Sequence, residues 1–443
     1  MSALPADIAV PRGASEADQA YRKIYLRLIP FLMFCYLLAF LGRTNVGFGK
    51  LEFLHDLGFT EAIYGFGAGI FFIGYVLFEV PSNLILEKVG VRKTLLRIMV
   101  LWGICATANA FITAAWHFYT LRFLLGAAEA GFFPGILFYL TLWTPARRRA
   151  GLTAMFMSSI GITGVIGGPL SGWIMSSLAG TYGLAGWQWM FLVEGIPSII
   201  FGFVAFVYLN DTPRQAKWLT DSEKAIVIAD LDAEIAAQSG KTHHSFGAAL
   251  RAPQFYVLVC FATALLASTG GIFFWLPTII RNSGVRDVLD VGLLSAIPFV
   301  IGVPAQQLIA FRSDRSLERR WHASGAALVS ALGWGMLPFV AKSPALSLAA
   351  LTLTTVGTLG AMGPFWTMPS ALLTGPARAG GIALITTLGG IGSFFSPWLV
   401  GWLSTHTGSL ASGQYYYAGL MFFGAVVLLV GIPAARGRTA KAA

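Results

Sequence analysis

The chain has 443 residues, 56% of them hydrophobic and only 11% charged, with a formal net charge of +10. A soluble domain carries about 25% charged residues, so this composition excludes a solvated globular surface and makes lipid the main solvent. Cys35, Cys105 and Cys260 all fall in apolar segments without metal-ligand spacing, which excludes a disulfide framework or a cysteine metal centre.

Residues 1–20 are polar, and the apolar run that follows is too long for a cleavable signal peptide. Segments near the 20 residues that a bilayer crossing needs occupy 28–49, 62–86, 94–113, 117–142, 150–178 and 189–209. A polar stretch with Asp211-Thr212-Pro213, Asp221-Ser222-Glu223-Lys224 and a short charged helix reads as a soluble linker. Further spans follow at 254–280, 290–311, 321–341, 345–373, 379–404 and 415–433. The predicted architecture is an all-α membrane protein of twelve transmembrane helices. It has a tail at 1–27, a six-helix half at 28–209, a linker at 210–252, a second half at 253–433 and a tail at 434–443.

The cations set the orientation. Arg22, Lys23 and Arg27, then Lys88, Arg92, Lys93 and Arg97, then Arg147 to Arg149, the linker cations, Arg312 to Arg320, Arg378 and Arg436 to Lys441 all fall on one side. Lys50, Arg281, Arg286 and Lys342 fall on the other. The positive-inside rule puts both termini in the cytoplasm. The excess positive charge is thereby a topology signal, and no nucleic-acid partner is needed. The expected location is a bacterial inner membrane, crossed many times, with the lipid bilayer as partner and a monomer as the unit.

The halves echo each other at an offset near 230 residues, the mark of a duplicated transporter unit with a site between the halves. Pro145-Ala146-Arg147 recurs as Pro376-Ala377-Arg378, and Pro169 with Gly172-Trp173 recurs as Pro397 with Gly401-Trp402. Gly164, Gly168 and Gly172, at i, i+4 spacing, read as a helix-packing stripe.

Arg43, Arg122 and Glu129 interrupt the apolar runs. An ionised side chain at bilayer depth costs roughly 2.5–3.5 kcal/mol on insertion scales, so such groups face a protein-lined cavity. With the first span ending near Gly49 and the fourth starting near Trp116, Arg43 and Arg122 both lie roughly 9 Å from the outer boundary. Glu129 follows Arg122 by almost two turns, on the same face and about 10 Å deeper. Tyr75 reaches a similar depth. Two guanidiniums can clamp an organic acid bidentately. Low dielectric penalises ionised Glu129 while neighbouring guanidiniums favour it, so an anion that neutralises an arginine makes proton uptake easier. A purely structural Arg–Glu pair needs one arginine, and two leave a surplus. Asn45 can donate to the same ligand, and Trp275, Trp366, Thr386 and Thr387 lie on second-half spans that the repeat places opposite. Glu79, beside Pro81, and Glu194, at the outer end of the sixth span, read as interface or packing residues.

Gly240-Lys241-Thr242 mimics the end of a Walker loop, but the upstream glycine position holds Ile235. His243-His244 has no partner at metal spacing. No cofactor and no metal are expected, and with no nucleophile beside a base the chain does not read as an enzyme.

Phe40 to Phe48 around Arg43, Gly74 to Asn83, Leu121 to Gly135 around Arg122 and Glu129, and Gly186-Trp187-Gln188-Trp189 resemble the major facilitator superfamily, specifically its anion:cation symporter branch. The resemblance covers nearly the whole chain and implies the major facilitator fold with pseudo-two-fold symmetry. It implies proton-coupled import of an organic anion of the tartrate, phthalate, hydroxyphenylacetate or sugar-acid type. Carried over by position, Arg43 and Arg122 contact the carboxylate, Tyr75 lines the site and Glu129 carries the proton. Two departures stand out. Gly42 replaces the family's usual aspartate, which is thought to assist proton coupling. Thr386-Thr387 and Gly390 replace an Asn-Ser pair and a later asparagine. The expected activity is proton symport of a small carboxylate by alternating access. Proton-independent anion exchange and a carboxylate-sensing receptor are the alternatives.

Overall fold

The computed structural model describes residues 16–238, 250–372 and 377–432. Pro376, Gly240-Lys241-Thr242, His243-His244 and most of both tails lie outside them. Among these residues twelve helices are long and apolar enough to cross a membrane. The first half comprises Glu16–Leu57, Glu61–Val89, Val91–Phe111, Ala115–Trp143, Gly151–Leu178 and Gly186–Tyr208. The second comprises Pro253–Asn282, Val288–Ser316, Arg320–Val340, Pro344–Pro369, Leu384–Thr407 and Ala411–Gly431. Among the described residues there is no strand, as hydrocarbon demands of a backbone that must satisfy its own hydrogen bonds. Local chemistry sets the ends. Thr60 caps the second span by accepting from the Ile63 N–H, Asp287 caps the eighth by accepting from Leu289 and Asp290, and Gly58 closes the first in the left-handed region at φ 65°.

Two spans are broken where the charged residues lie. The first divides into Glu16–Thr44 and Val46–Leu57, with Asn45 between. The fourth divides into Ala115–Glu129 and Phe132–Trp143, turning through Gly131 at φ 85°. A side chain is strained at that φ, and a Cβ there would also press on Ser82. Broken helices at a site are a known transporter device.

The connections that carry Lys88, Arg92 and Lys93 define a basic face of the molecule. The linker is more than a solvated connection, because the helix Asp221–Gln238 docks on this face. Tyr21 donates to Asp230 at 3.0 Å, Lys23 pairs with Glu223 at 2.5 Å, and Trp218 stacks on Trp143 with ring centroids 5.5 Å apart.

The two halves meet most closely toward the opposite face. There the second span crosses the eleventh, and a Cβ on Gly65 would overlap the Pro397 carbonyl. The fifth span crosses the eighth, where a Cβ on Gly172 would stand 2.8 Å from the Val288 carbonyl. Backbone groups seal the contact: Tyr64 donates to the Phe274 carbonyl at 2.9 Å and Arg281 to the Leu51 carbonyl at 2.9 Å.

Candidate functional site

The first span runs on past Gly49 to Leu57, because an amphipathic helix continues the apolar run before His55 and Asp56 emerge. Arg43 therefore lies about 21 Å from that end at 1.5 Å per residue, deeper than a boundary at Gly49 implies. Glu129 lies at the matching depth, fourteen residues into the fourth span. The consequence is direct: Arg43 Nη2 donates to Glu129 Oε1 at 2.5 Å. Arg43 also sits in the last turn of its helical segment, where cations are favoured.

Arg122 joins this pair from the side. Its Nη2 donates to the Arg43 backbone carbonyl at 3.4 Å, its Nε has no hydrogen-bond partner, and among the described residues no carboxylate lies within ion-pair distance. Yet the residue is only 1% exposed. Phe71 stands between the two guanidiniums, with Arg43 Cζ 5.1 Å and Arg122 Cζ 5.2 Å from its ring centroid. Tyr75, one turn further along the same helix face, holds its ring 5.3 Å from Arg43 Cζ. The cluster thus carries two guanidiniums against one carboxylate, and the Phe71 ring lies within cation–π distance of both cations. A carboxylate set 4 Å from Arg122 would gain about 4 kcal/mol at an effective dielectric of 20.

The first half alone supplies Arg43, Tyr75, Arg122 and Glu129. The second half reaches their level with Phe273, whose ring lies 5.0 Å from Phe40, and Phe274, 6.3 Å from Phe72. Trp275 belongs to the closure toward the opposite face: Lys50 Nζ lies 3.9 Å from its ring and pairs with Glu61 at 2.8 Å. Trp366 is half-buried beside Phe365 on the tenth span. Thr386 and Thr387 are exposed on the basic-face half of the eleventh. The Asn45 side chain turns to Glu194, which accepts from Asn45 Nδ2 at 2.9 Å and from Ser171 Oγ at 2.7 Å.

Sequence reasoning missed Phe71, Lys50 and Glu194. Phe71 was legible as the i−4 neighbour of Tyr75. Lys50 looked like an ordinary boundary cation, but the helix beyond Gly49 buries it to 2% exposure. Glu194 reads from the sequence as an interface or packing residue; it lies eight residues inside its helix, is 3% exposed and packs against Asn45 and Ser171, which excludes the interface. Its signal was the one that marked Glu129, a lone acid in an apolar run.

Comparison with known proteins places this geometry. The sequence pattern of the Major Facilitator Superfamily matches residues 32–372. A protein of Agrobacterium vitis named "Putative tartrate transporter" is 48% identical over 413 residues, covering 92% of this chain and 94% of that one. A "Quinolone resistance transporter" of Acinetobacter baumannii is 38% identical over 414 residues, covering 92% and 94%. Among solved structures, the xylose transporter XylE from E. coli superposes with a TM-score of 0.72 at 15% identity, covering 94% of this chain and 99% of that chain. The architecture is therefore twelve membrane helices in two halves of six, and the protein is a multi-pass membrane transporter, not an enzyme.

Proposed function

The chain belongs to the Major Facilitator Superfamily, and we propose that it imports a small organic carboxylate with protons, by alternating access, across a bacterial inner membrane. The basic face lies in the cytoplasm on this reading. The observation that carries it is Arg122, a buried guanidinium with no carboxylate partner among the described residues, beside an Arg43–Glu129 pair that a competing anion can open. The substrate carboxylate binds Arg122 and takes over the Arg43 guanidinium. Glu129, released from its cation in a dry site, then takes up a proton. With a dicarboxylate set across Arg43 and Arg122 and Glu129 neutral, two guanidiniums face two carboxylates, the cluster no longer carries surplus charge, and the halves can rock past each other. The carboxylate chemistry of the site agrees with the tartrate in one relative's name, while the quinolone in the other leaves the shape of the acid open.

The test is uptake in proteoliposomes. Glu129→Gln is expected to abolish proton-driven accumulation while exchange of labelled for unlabelled acid continues. Uphill accumulation by that variant at the wild-type level removes Glu129 from the mechanism. Gly42, which leaves the first span without an acid beside Arg43, favours proton-independent exchange as the second reading. Proton movement measured during wild-type uptake separates the two.

A further inference from the structure

We propose that Glu194, held by Asn45 and Ser171, is a second proton-binding site of the transport cycle, an inference that rests on the proton-coupled reading above. Glu194 lies about 12 Å inside the sixth span at 1.5 Å per residue and is 3% exposed. Each oxygen has one neutral donor, Asn45 Nδ2 and Ser171 Oγ. Among the described residues no cation lies within ion-pair distance of it. Two neutral donors do not replace the solvation that a carboxylate loses on burial, and no counter-charge makes up the difference. The group is therefore poised to exchange a proton.

The second observation is Asn45 Oδ1, which is buried beside this carboxyl and has no hydrogen-bond partner. Rotating the amide by half a turn puts Oδ1 where Nδ2 stands. A protonated Glu194 can then donate to it, while the ionised form accepts from Nδ2. One amide can thus hold the carboxyl in either protonation state.

The third is location. Asn45 and Ser171 line a small cavity between the halves, whose other wall includes Ile272, Phe273, Leu276 and Ser295 of the seventh and eighth spans. Glu194 stands behind Asn45 and Ser171, so rocking of the halves that opens this cavity would bring water to the two groups that hold its carboxyl. Asn45 is also the break in the first span, two residues from Arg43. The arginine that holds Glu129 and the amide that holds Glu194 therefore lie within one turn of the same span.

Other titratable groups near Glu194 are accounted for. On the first span Arg43 pairs with Glu129 and Lys50 with Glu61, and His55 lies beside Asp56 at the outer end. Glu52 and Asp56 accept from the Trp187 backbone and indole N–H, about two turns further out. The third span offers Cys105 at this level. Its Arg92 donates to the Phe206 carbonyl and its Arg97 to Ser82, toward the basic face, where Lys93 is exposed. The fifth-span segment Ser159–Leu178 contains no titratable residue.

The experiment is an infrared titration of the substrate-free full chain in liposomes, between about pH 5 and pH 9, for wild type, E129Q, E194Q and S171A. E194Q is expected to remove one component of the protonated-carboxyl band, distinct from the one that E129Q removes. S171A, which keeps the acid and deletes one donor, is expected to change the proton concentration at that component's midpoint by roughly tenfold. An E194Q titration identical to wild type overturns the proposal. If E194Q does not fold, an unmoved midpoint in S171A overturns it. Proton flux driven by tartrate in the same liposomes tests the parent reading separately. No proton flux in wild type while labelled tartrate is taken up overturns that reading together with this site's role in transport. Flux lost in E129Q but undiminished in E194Q overturns this site alone, and one proton fewer per tartrate in E194Q supports it.

Discussion

Replacing Arg122 by alanine separates a ligand-binding cation from a structural one. In the structure this guanidinium makes a 3.4 Å bond to a backbone carbonyl and no ion pair among the described residues. Its deletion relieves a buried charge of a desolvation cost worth several kcal/mol and leaves a cavity that costs a comparable amount. The net change in stability without ligand is expected to stay within about 2 kcal/mol. With a carboxylate bound, the guanidinium supplies charge-assisted bonds worth about 1.5–3 kcal/mol each. Losing about 3 kcal/mol weakens binding roughly 150-fold. Lysine keeps the charge and loses the fork, so R122K is expected to weaken binding by about tenfold. Calorimetric titration with tartrate and thermal melts with and without it measure both quantities on one preparation. Unchanged affinity together with a large loss of stability in R122A would show a structural cation and defeat the reasoning. The control is Glu129→Ala, which strands Arg43 without its 2.5 Å partner and is expected to destabilise by about 3–5 kcal/mol.

Other outcomes follow from the contacts outside the cluster. K50M removes the cation held between Glu61 and the Trp275 ring; losing about 1–2 kcal/mol of closure is expected to raise the labelling rate of a cysteine introduced at Ser295 about tenfold, and an unchanged rate counts against a seal at this face. G65V places side-chain atoms on the Pro397 carbonyl and is expected to hold the opposite face open, with uptake lost and labelling constitutive; normal uptake refutes it. On the basic face, the Lys23 ammonium and then the Thr220 N–H hold the Glu223 carboxyl below its ordinary 4.5. That stabilisation is complete above the ordinary value and is lost as pH falls through the lower folded value. Hydrogen exchange of residues 221–238 is therefore expected to lose protection in acid, by no more than about 1 kcal/mol because Lys23 is half exposed. Protection that stays constant to the acid limit shows that the helix is held by Trp218 instead.

The number of spans and the inward-facing charges were legible because hydrocarbon tolerates so few sequences. Twelve apolar runs and three stray charges left little freedom, and Arg43, Tyr75, Arg122 and Glu129 do gather on one side of the first half. Depth was less legible. Counting from Gly49 set Arg43 level with Arg122, but hydropathy cannot tell a span's end from an amphipathic continuation. The true end at Leu57 sets Arg43 level with Glu129. The partners of Asn45 were not legible either. An amide near an arginine suggests a ligand contact, and only the packing of the sixth span against the first shows that Glu194 lies within its reach. The second-half aromatics were hardest to place, since tryptophan serves equally at an interface, in packing or under a cation. Trp275 is in the last position, beneath Lys50.

These placements bear on how one carboxylate could move two six-helix bodies. Arg43 and Asn45 flank the junction of the two helical segments of the first span, where Asn45 keeps its own bonds to Leu41 and Gly49. Each is tied to an acid on a different helix, Arg43 to Glu129 on the fourth span and Asn45 to Glu194 on the sixth. The helix just beyond the break lies against the seventh span, where a Cβ on Gly47 would stand 2.8 Å from the Phe273 carbonyl. An anion that draws Arg43 away from Glu129 pulls on the same short segment that carries Asn45 and touches the other half. A population shift needs only a difference in ligand contacts between two states. Here the proposed anion-binding arginine Arg43, the two acids and the closure between halves all meet near Asn45.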